Sequence, residues 1–380
     1  MSSLSPKQAA AIATHVYTAR DMVAPDVLQL SADGMGLNGV FDFKTAQLAT
    51  GTSGAVARKT TGFTYGAEGM GTRQGEVVLA FRGTDILQDW LTDGNCGVQQ
   101  GPSAWLVHAG FNETFKSFRE DLDRYMRGRK PSTIHCVGHS LGGALATLAA
   151  DHLSQAGVGG VKLYTFGSPR VGVAGFARNL TSKLGVENIH RVYHLADPVS
   201  MVPIFPFAHA PDDGPVCQLP WGSSFSFDAH KMANYRQSIG DASWTGLRRV
   251  QQTSLERDVQ AWLKNANGSV LMLSATSLQM ISKAMQYLLG KALGVAAGTV
   301  VTVGMTVLDQ IAGLLVSGAN ACKALGDSLH SLIVQIFRFL GRPLPSAANL
   351  TVAFLRWVLE LLSTTVINLA RRAIDVGMRL

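Results

Sequence analysis

Cysteine is scarce in this 380-residue chain: Cys96, Cys136, Cys217 and Cys322 lie far apart and form no C-x-x-C pair. That spacing offers no zinc site, and a chain of this length needs no disulfide framework to build a core. Charge is also sparse. Only 16% of residues are Asp, Glu, Lys or Arg, against roughly a quarter in ordinary domains, while 47% are hydrophobic. A disordered or linker-type protein is thereby excluded. The 40 glycines follow no three-residue period, so collagen is excluded and tight turns are expected. The opening MSSLSPKQAA has no basic segment followed by an apolar one. We therefore expect no Sec signal peptide, and either cytoplasmic residence or export by a route without a cleaved leader.

What charge there is divides unevenly. Residues 1–264 carry 24 Lys and Arg against 22 Asp and Glu, whereas residues 265–380 carry 9 against 4. The basic excess sits in the more apolar part, which suits anionic lipid better than nucleic acid. The patterning divides at the same place. Residues 5–20 read as a helix capped by Ser5, and residues 31–75, rich in Gly, Ser and Thr, as hairpin material. Short apolar runs at 76–81, 134–138, 161–166 and 189–195 read as buried strands. Amphipathic or small-residue helices at 112–127 and 141–156 lie between them. Strands alternating with helices predict an α/β fold with a mostly parallel sheet over residues 1–264. Asn265 to Gly268 reads as a linker. Beyond it the pattern is all helical, with segments expected at 269–289, 291–317, 319–340 and 347–379.

The sequence GHSLGG at 138–143 contains G-x-S-x-G. In a glycine-rich chain the pattern alone is weak, but its context is a strand leading in and a helix leading out. Glycines two before and two after the serine let strand and helix approach closely, which leaves Ser140 on a sharp turn with Oγ exposed above the sheet. The helix N-terminus favours negative charge developing there. One donor for an oxyanion is then the N–H of Leu141. A second is expected from a loop after an earlier strand, where Thr84 stands.

These blocks and others in the same order resemble the class 3 lipases, an α/β-hydrolase family. AFRGT at 80–84 resembles the family's oxyanion strand and turn, DWLTD at 89–93 its lid-region block and VHAGF at 107–111 its V-H-x-G-F. TFGSPRVG at 165–172 and RVYHLADPV at 191–199 are similar to its F-G-x-P-R-V-G and R-V-x-x-x-x-D-P-V. The resemblance spans about residues 76–235 and does not extend to 265–380. It implies an α/β-hydrolase domain and a Ser-Asp-His order along the chain. Asp197, at the end of a strand, is the expected acid. His209, His230 and, remotely, His330 follow it. His230 is the expected base, because DAHKMANY at 228–235 is similar to the bacterial family variant H-x-M-x-x-Y. His209 reads as part of a wall loop, His108 and His139 as structural, and Arg170 as a pin for the loop beside the elbow. Ile86, Leu87, Trp90 and Leu91 occupy the lid position. The aromatic clusters Phe205/Phe207 and Trp221/Phe225/Phe227 fit an acyl-chain pocket or core equally well.

The expected activity is hydrolysis of lipid acyl esters by a Ser-His-Asp triad, with lipid or phospholipid as substrate and no metal, cofactor or nucleic acid involved. The C-terminal part carries a 17-residue uncharged run at 292–308, short for a membrane span. It reads either as the centre of a helical bundle or as a module that docks on a membrane surface. The absent leader, the lipase-like blocks and the apolar tail together resemble lipase effectors delivered into rival cells by type VI secretion. That resemblance implies an immunity protein and a secretion-machine partner. Two other readings compete: a membrane-perturbing protein whose helical part carries the function, and a soluble esterase or thioesterase with a structural tail.

Overall fold

Ser5 accepts a hydrogen bond from the Gln8 N–H while Gln8 reaches back to the Ser5 N–H, a reciprocal cap that starts α1 (Pro6–His15). The computed structural model describes residues 3–20, 25–53, 59–83, 97–222, 224–251, 256–265, 272–295, 307–345 and 349–377. The helix expected over 5–20 ends at His15, whose carbonyl is taken by the Thr18 hydroxyl at the start of a short 3-10 turn. The hairpin expected over 31–75 also begins later. Residues 31–34 close α2 (Pro25–Gly34), held by Leu28 and Ala32 one turn apart on a buried face. The hairpin itself is β1 (Phe41–Ser53) against β2 (Lys59–Gly69), antiparallel.

The apolar runs then supply the centre of the sheet. They are β3 (Glu76–Phe81), β6 (Thr133–His139), β7 (Gly160–Phe166) and β9 (Ile189–His194), with β4 (Val98–Gln100), β5 (Leu106–His108) and β8 (Gly172–Val173) between them in sequence. Chain order continues with β10 (Phe207–Ala208), β11 (Pro215–Leu219) and β12 (Arg249–Gln251). The main sheet has the order β1-β2-β3-β6-β7-β9-β11-β12 and is parallel from β3 to β11. Strands β10-β8-β5-β4 form a second, smaller sheet. These strands of two or three residues are too short to show a period in sequence.

Helices cover both faces, as continuous apolar strands require. On one side lie α3 (Ala109–Met126), α4 (Leu141–Ala156) and α5 (Ala174–Leu184), with Phe111, Phe115, Phe118 and Leu122 of α3 facing inward. On the other side α1 packs against α6 (Met232–Ile239) over Val137, Phe166 and Val192.

The C-terminal part is helical: α7 (Glu256–Lys264), α8 (Ala275–Val295), α9 (Val307–Ala321), α10 (Lys323–Phe339) and α11 (Val352–Gly377). The break expected at 290 is absent, because α8 runs through Gly290, which faces open space and costs only about 1 kcal/mol against alanine. Most of the run at 292–308 lies outside the described residues. The described helix long and apolar enough to cross a membrane is instead α11, with mean hydropathy 1.4 and 39% of its most apolar stretch buried. Its inward stripe, Leu355, Val358, Leu359, Leu362, Val366 and Ile367, follows helical spacing. Each such side chain contributes about 2 kcal/mol on burial. This stripe belongs to the same apolar cluster as Leu141, Leu145 and Val199 of the sheet domain.

Candidate active site

The turn from β6 into α4 places Ser140 at φ 57° and ψ −133°, a conformation that side chains rarely adopt. Its glycine neighbours make the turn feasible. A Cβ on Gly138 would lie 2.1 Å from the Gly142 carbonyl oxygen, and one on Gly142 would lie 2.1 Å from that of Phe81. Strand, elbow and helix therefore close on one another only without those side chains.

Three expected residues meet at this turn. Ser140 Oγ donates to His230 Nε2 at 2.9 Å, and His230 Nδ1 donates to Asp197 Oδ2 at 2.9 Å. Asp197 stands just beyond β9, where its side chain also caps the 3-10 turn Pro198–Met201 through the Val199 N–H at 2.9 Å. His230 ends the turn Asp228–His230. All three are buried, Ser140 at 4% exposure, His230 at 1% and Asp197 at 0%. Burial pushes the Asp197 carboxyl up, but His230, Tyr235 and the Val199 N–H outweigh it, and the group ends below the ordinary carboxylate range. Asp197 is thus held ionised, as a partner for an imidazolium must be.

Sequence reasoning assigned no role to three supporting residues. Tyr235 donates its hydroxyl to Asp197 Oδ2 at 2.8 Å and accepts the His194 N–H at 3.1 Å. Tyr17 donates to His139 Nδ1 at 2.8 Å, and His139 donates from Nε2 to the His230 carbonyl at 2.7 Å. His194 donates from Nδ1 to the Ala229 carbonyl at 2.7 Å. His139 and His194 therefore grip the backbone at and before His230. Burial, with the adjacent His230 second, pushes His139 down to about 3, so it serves as a neutral donor. The H-x-M-x-x-Y spacing marked Tyr235; nothing in sequence linked Tyr17 to the site, 122 positions from His139.

The Leu141 N–H opens α4 beside Ser140, and a Cβ on Gly83 would stand 3.2 Å from Ser140 Cβ, so the end of β3 reaches the site. Thr84, together with Ile86, Leu87, Trp90 and Leu91, lies outside the described residues. Arg170 donates to the carbonyls of Met201 and Pro203 at 2.6 and 2.8 Å, pinning the turn that follows Asp197. His209 bonds the Ser200 carbonyl, away from Ser140. Phe207 is buried against His108, while Phe225 and Phe227 pack on the larger core. Among the described residues no group of His, Cys, Asp or Glu could hold a metal ion.

The end of α11 covers this site. The helix packs on both 3-10 turns, the one after Asp197 and the one ending in His230, and a methyl on Gly377 would sit 3.4 Å from His230 Cδ2.

Residues 78–207 match the family model described as lipase (class 3). Secreted mono- and diacylglycerol lipase A of Penicillium cyclopium is 37% identical over 137 residues, 34% of this chain and 43% of that one. Phospholipase A1-II 4 of Oryza sativa subsp. japonica is 30% identical over 237 residues, 53% of this chain and 59% of that one. The chain thus spans under two thirds of the length of either relative. Lipase II from Rhizopus niveus, among solved structures, overlaps 57% of this chain and 80% of its own at 23% identity, with a TM-score of 0.42.

Proposed function

We propose that the α/β region carries a class 3 lipase core that acts as a serine hydrolase of lipid acyl esters, phospholipids foremost, and that the helical part after residue 265 brings it to a membrane surface. The observation that carries the reading is the unbroken hydrogen-bonded line Ser140–His230–Asp197 on a strained strand-to-helix elbow. In this mechanism Ser140 Oγ attacks the ester carbonyl carbon as its proton passes to His230 Nε2. The carbonyl oxygen takes the negative charge and receives the Leu141 N–H, with Thr84 as second donor. Collapse breaks the ester C–O bond, and the leaving alkoxide takes the proton from Nε2. Water, deprotonated by the same nitrogen, then attacks the acyl-enzyme and releases the fatty acid. Asp197 keeps Nδ1 protonated and offsets the imidazolium charge.

The preference for lipid rests on α11. An apolar helix lying over the acid and base is stable there in water, and at a bilayer its apolar face has somewhere else to go. The tail's basic excess suits an anionic lipid face. We also read the chain as an effector carried into another cell and there restrained by an immunity protein. Ile86, Leu87, Trp90 and Leu91 act as the lid.

The test is fatty-acid release from phospholipid vesicles and from a soluble short-chain ester, for wild type and Ser140→Ala. Release from vesicles that vanishes in Ser140→Ala is expected. Vesicle damage that persists in Ser140→Ala would favour the membrane-perturbing alternative, and activity confined to the soluble ester would favour a plain esterase. Production in a bacterial periplasm is expected to kill only with Ser140 intact.

A further inference from the structure

Away from Ser140, a cavity of about 230 Å³ lies where α8 crosses the end of β9 and the turn after Asp197. Within its wall the cations outnumber the carboxylates, while from outside it Asp197 acts on Arg191 and Asp258 on Lys283. The sheet side contributes Arg170 and Arg191, and α8 contributes Lys283; the carboxylate in the wall is Asp212, already 3.4 Å from Arg178. Arg191 is 6% exposed, and its guanidinium lies over the Tyr193 ring at 4.1 Å. Arg170 donates to two carbonyls from Nη1 alone. Among the described residues neither arginine nor Lys283 has a carboxylate within ion-pair distance. His209, also in the wall, is pushed down by burial first and then by the two arginines, so it stays neutral and adds no charge of either sign.

A buried cation is normally matched by an anion. Here the wall also carries neutral donors at helical spacing on one face of α8, Gln279, Ser282 and Gln286. Guanidinium forks, an ammonium and amide N–H groups from two sides form a donor set suited to a tetrahedral oxyanion, which offers acceptors in several directions. The space is several times the ~30 Å³ share of one water in the liquid, enough for a phosphate or a small phosphate ester with ordered waters.

We propose that this cavity binds a phosphate-type oxyanion, free or as the head of a phosphate ester, and that the bound anion ties α8 to the sheet. The proposal does not depend on the triad's chemistry. Binding stabilises the folded chain in proportion to occupancy and holds the helical part in the position where α11 lies over His230.

The test uses the full chain, with inorganic phosphate titrated by calorimetry and by thermal unfolding against sodium chloride at equal ionic strength. Wild type is expected to bind one phosphate saturably and to unfold at higher temperature with phosphate than with chloride. Lys283→Gln, at the half-buried edge, is expected to weaken binding about tenfold. Arg191→Lys, which keeps the charge but loses the fork, is expected to weaken it similarly. Lys291→Gln, on the same helix but paired with Glu256 at the surface, is expected to bind as wild type. Repeating the titration with sn-glycerol 3-phosphate separates the two sources: tighter binding than phosphate assigns an ester head, weaker binding a free anion. Absence of saturable binding to both probes would overturn the proposal. So would unchanged affinity in Lys283→Gln, which keeps the test decisive if Arg191→Lys does not fold.

Discussion

Replacing Tyr235 by phenylalanine removes one oxygen and two hydrogen bonds from the least accessible part of the site. The hydroxyl donates to Asp197 Oδ2 at 2.8 Å and accepts from the His194 N–H at 3.1 Å. A hydrogen bond to a buried charge contributes about 2 kcal/mol, and a buried N–H left without an acceptor costs about 1 kcal/mol. We expect a loss of roughly 3 kcal/mol in stability, seen as a melting temperature several degrees lower. Asp197 keeps its bonds from His230 and from the Val199 N–H, so the carboxylate stays ionised but is less firmly placed. Turnover should therefore fall about tenfold with KM unchanged, since Tyr235 touches no substrate and a tenfold change corresponds to ~1.4 kcal/mol in the barrier. Asp197→Asn, which removes the charge itself, should fall by roughly four orders of magnitude. The assay is initial rate on a soluble short-chain ester, with unfolding followed in parallel. A Tyr235→Phe variant with wild-type turnover and melting temperature would refute the assigned role. A loss as deep as that of Asp197→Asn would mean that the hydroxyl takes part in the chemistry.

Other expectations concern the elbow, the tail and acid stability. Gly142→Ala should abolish activity and soluble yield, because its Cβ would lie 2.1 Å from the Phe81 carbonyl oxygen; recovery of an active protein would contradict the described elbow. Leu362→Ala, in the fully buried stripe of α11, should destabilise the chain by about 3 kcal/mol and raise turnover of a small soluble ester, by loosening the helix over His230; a stability loss with no gain in turnover would argue that α11 does not limit access. His108 and His139 are pushed by burial to about 4 and about 3, below the ordinary value near 6.5. Their unfolded forms take up protons first as pH falls, so stability should decline from about pH 6.5 downward by roughly 1.4 kcal/mol per pH unit for each. Denaturant midpoints flat from pH 7 to 5 would contradict this.

The centre of the sheet was legible because parallel strands buried on both faces read as apolar runs, and β3, β6, β7 and β9 fall within a residue or so of those runs. The outer elements were not. Strands β8 and β10 have two residues each, and β12 pairs through backbone alone in a stretch with no alternation. Ser140, Asp197 and His230 carried motif context, whereas Tyr17 and His194 act by tertiary contact that local pattern does not encode. The tail's helices were visible from composition, but not their register: Gly290 looks like a stop in sequence and is an ordinary turn of helix in space. Nothing in residues 265–380 announced that α11 would rest on the turns bearing Asp197 and His230.

That resting place bears on how the protein can be handled. Gly377 lies against His230. A purification handle or reporter joined just after Gly377 would be tethered beside the site, while one joined before Ser3 would sit by the starts of β7 and β9, near Lys162 and His190. The choice of terminus for a fusion is therefore itself a perturbation of the active site, and assays that compare tagged proteins should compare the same end.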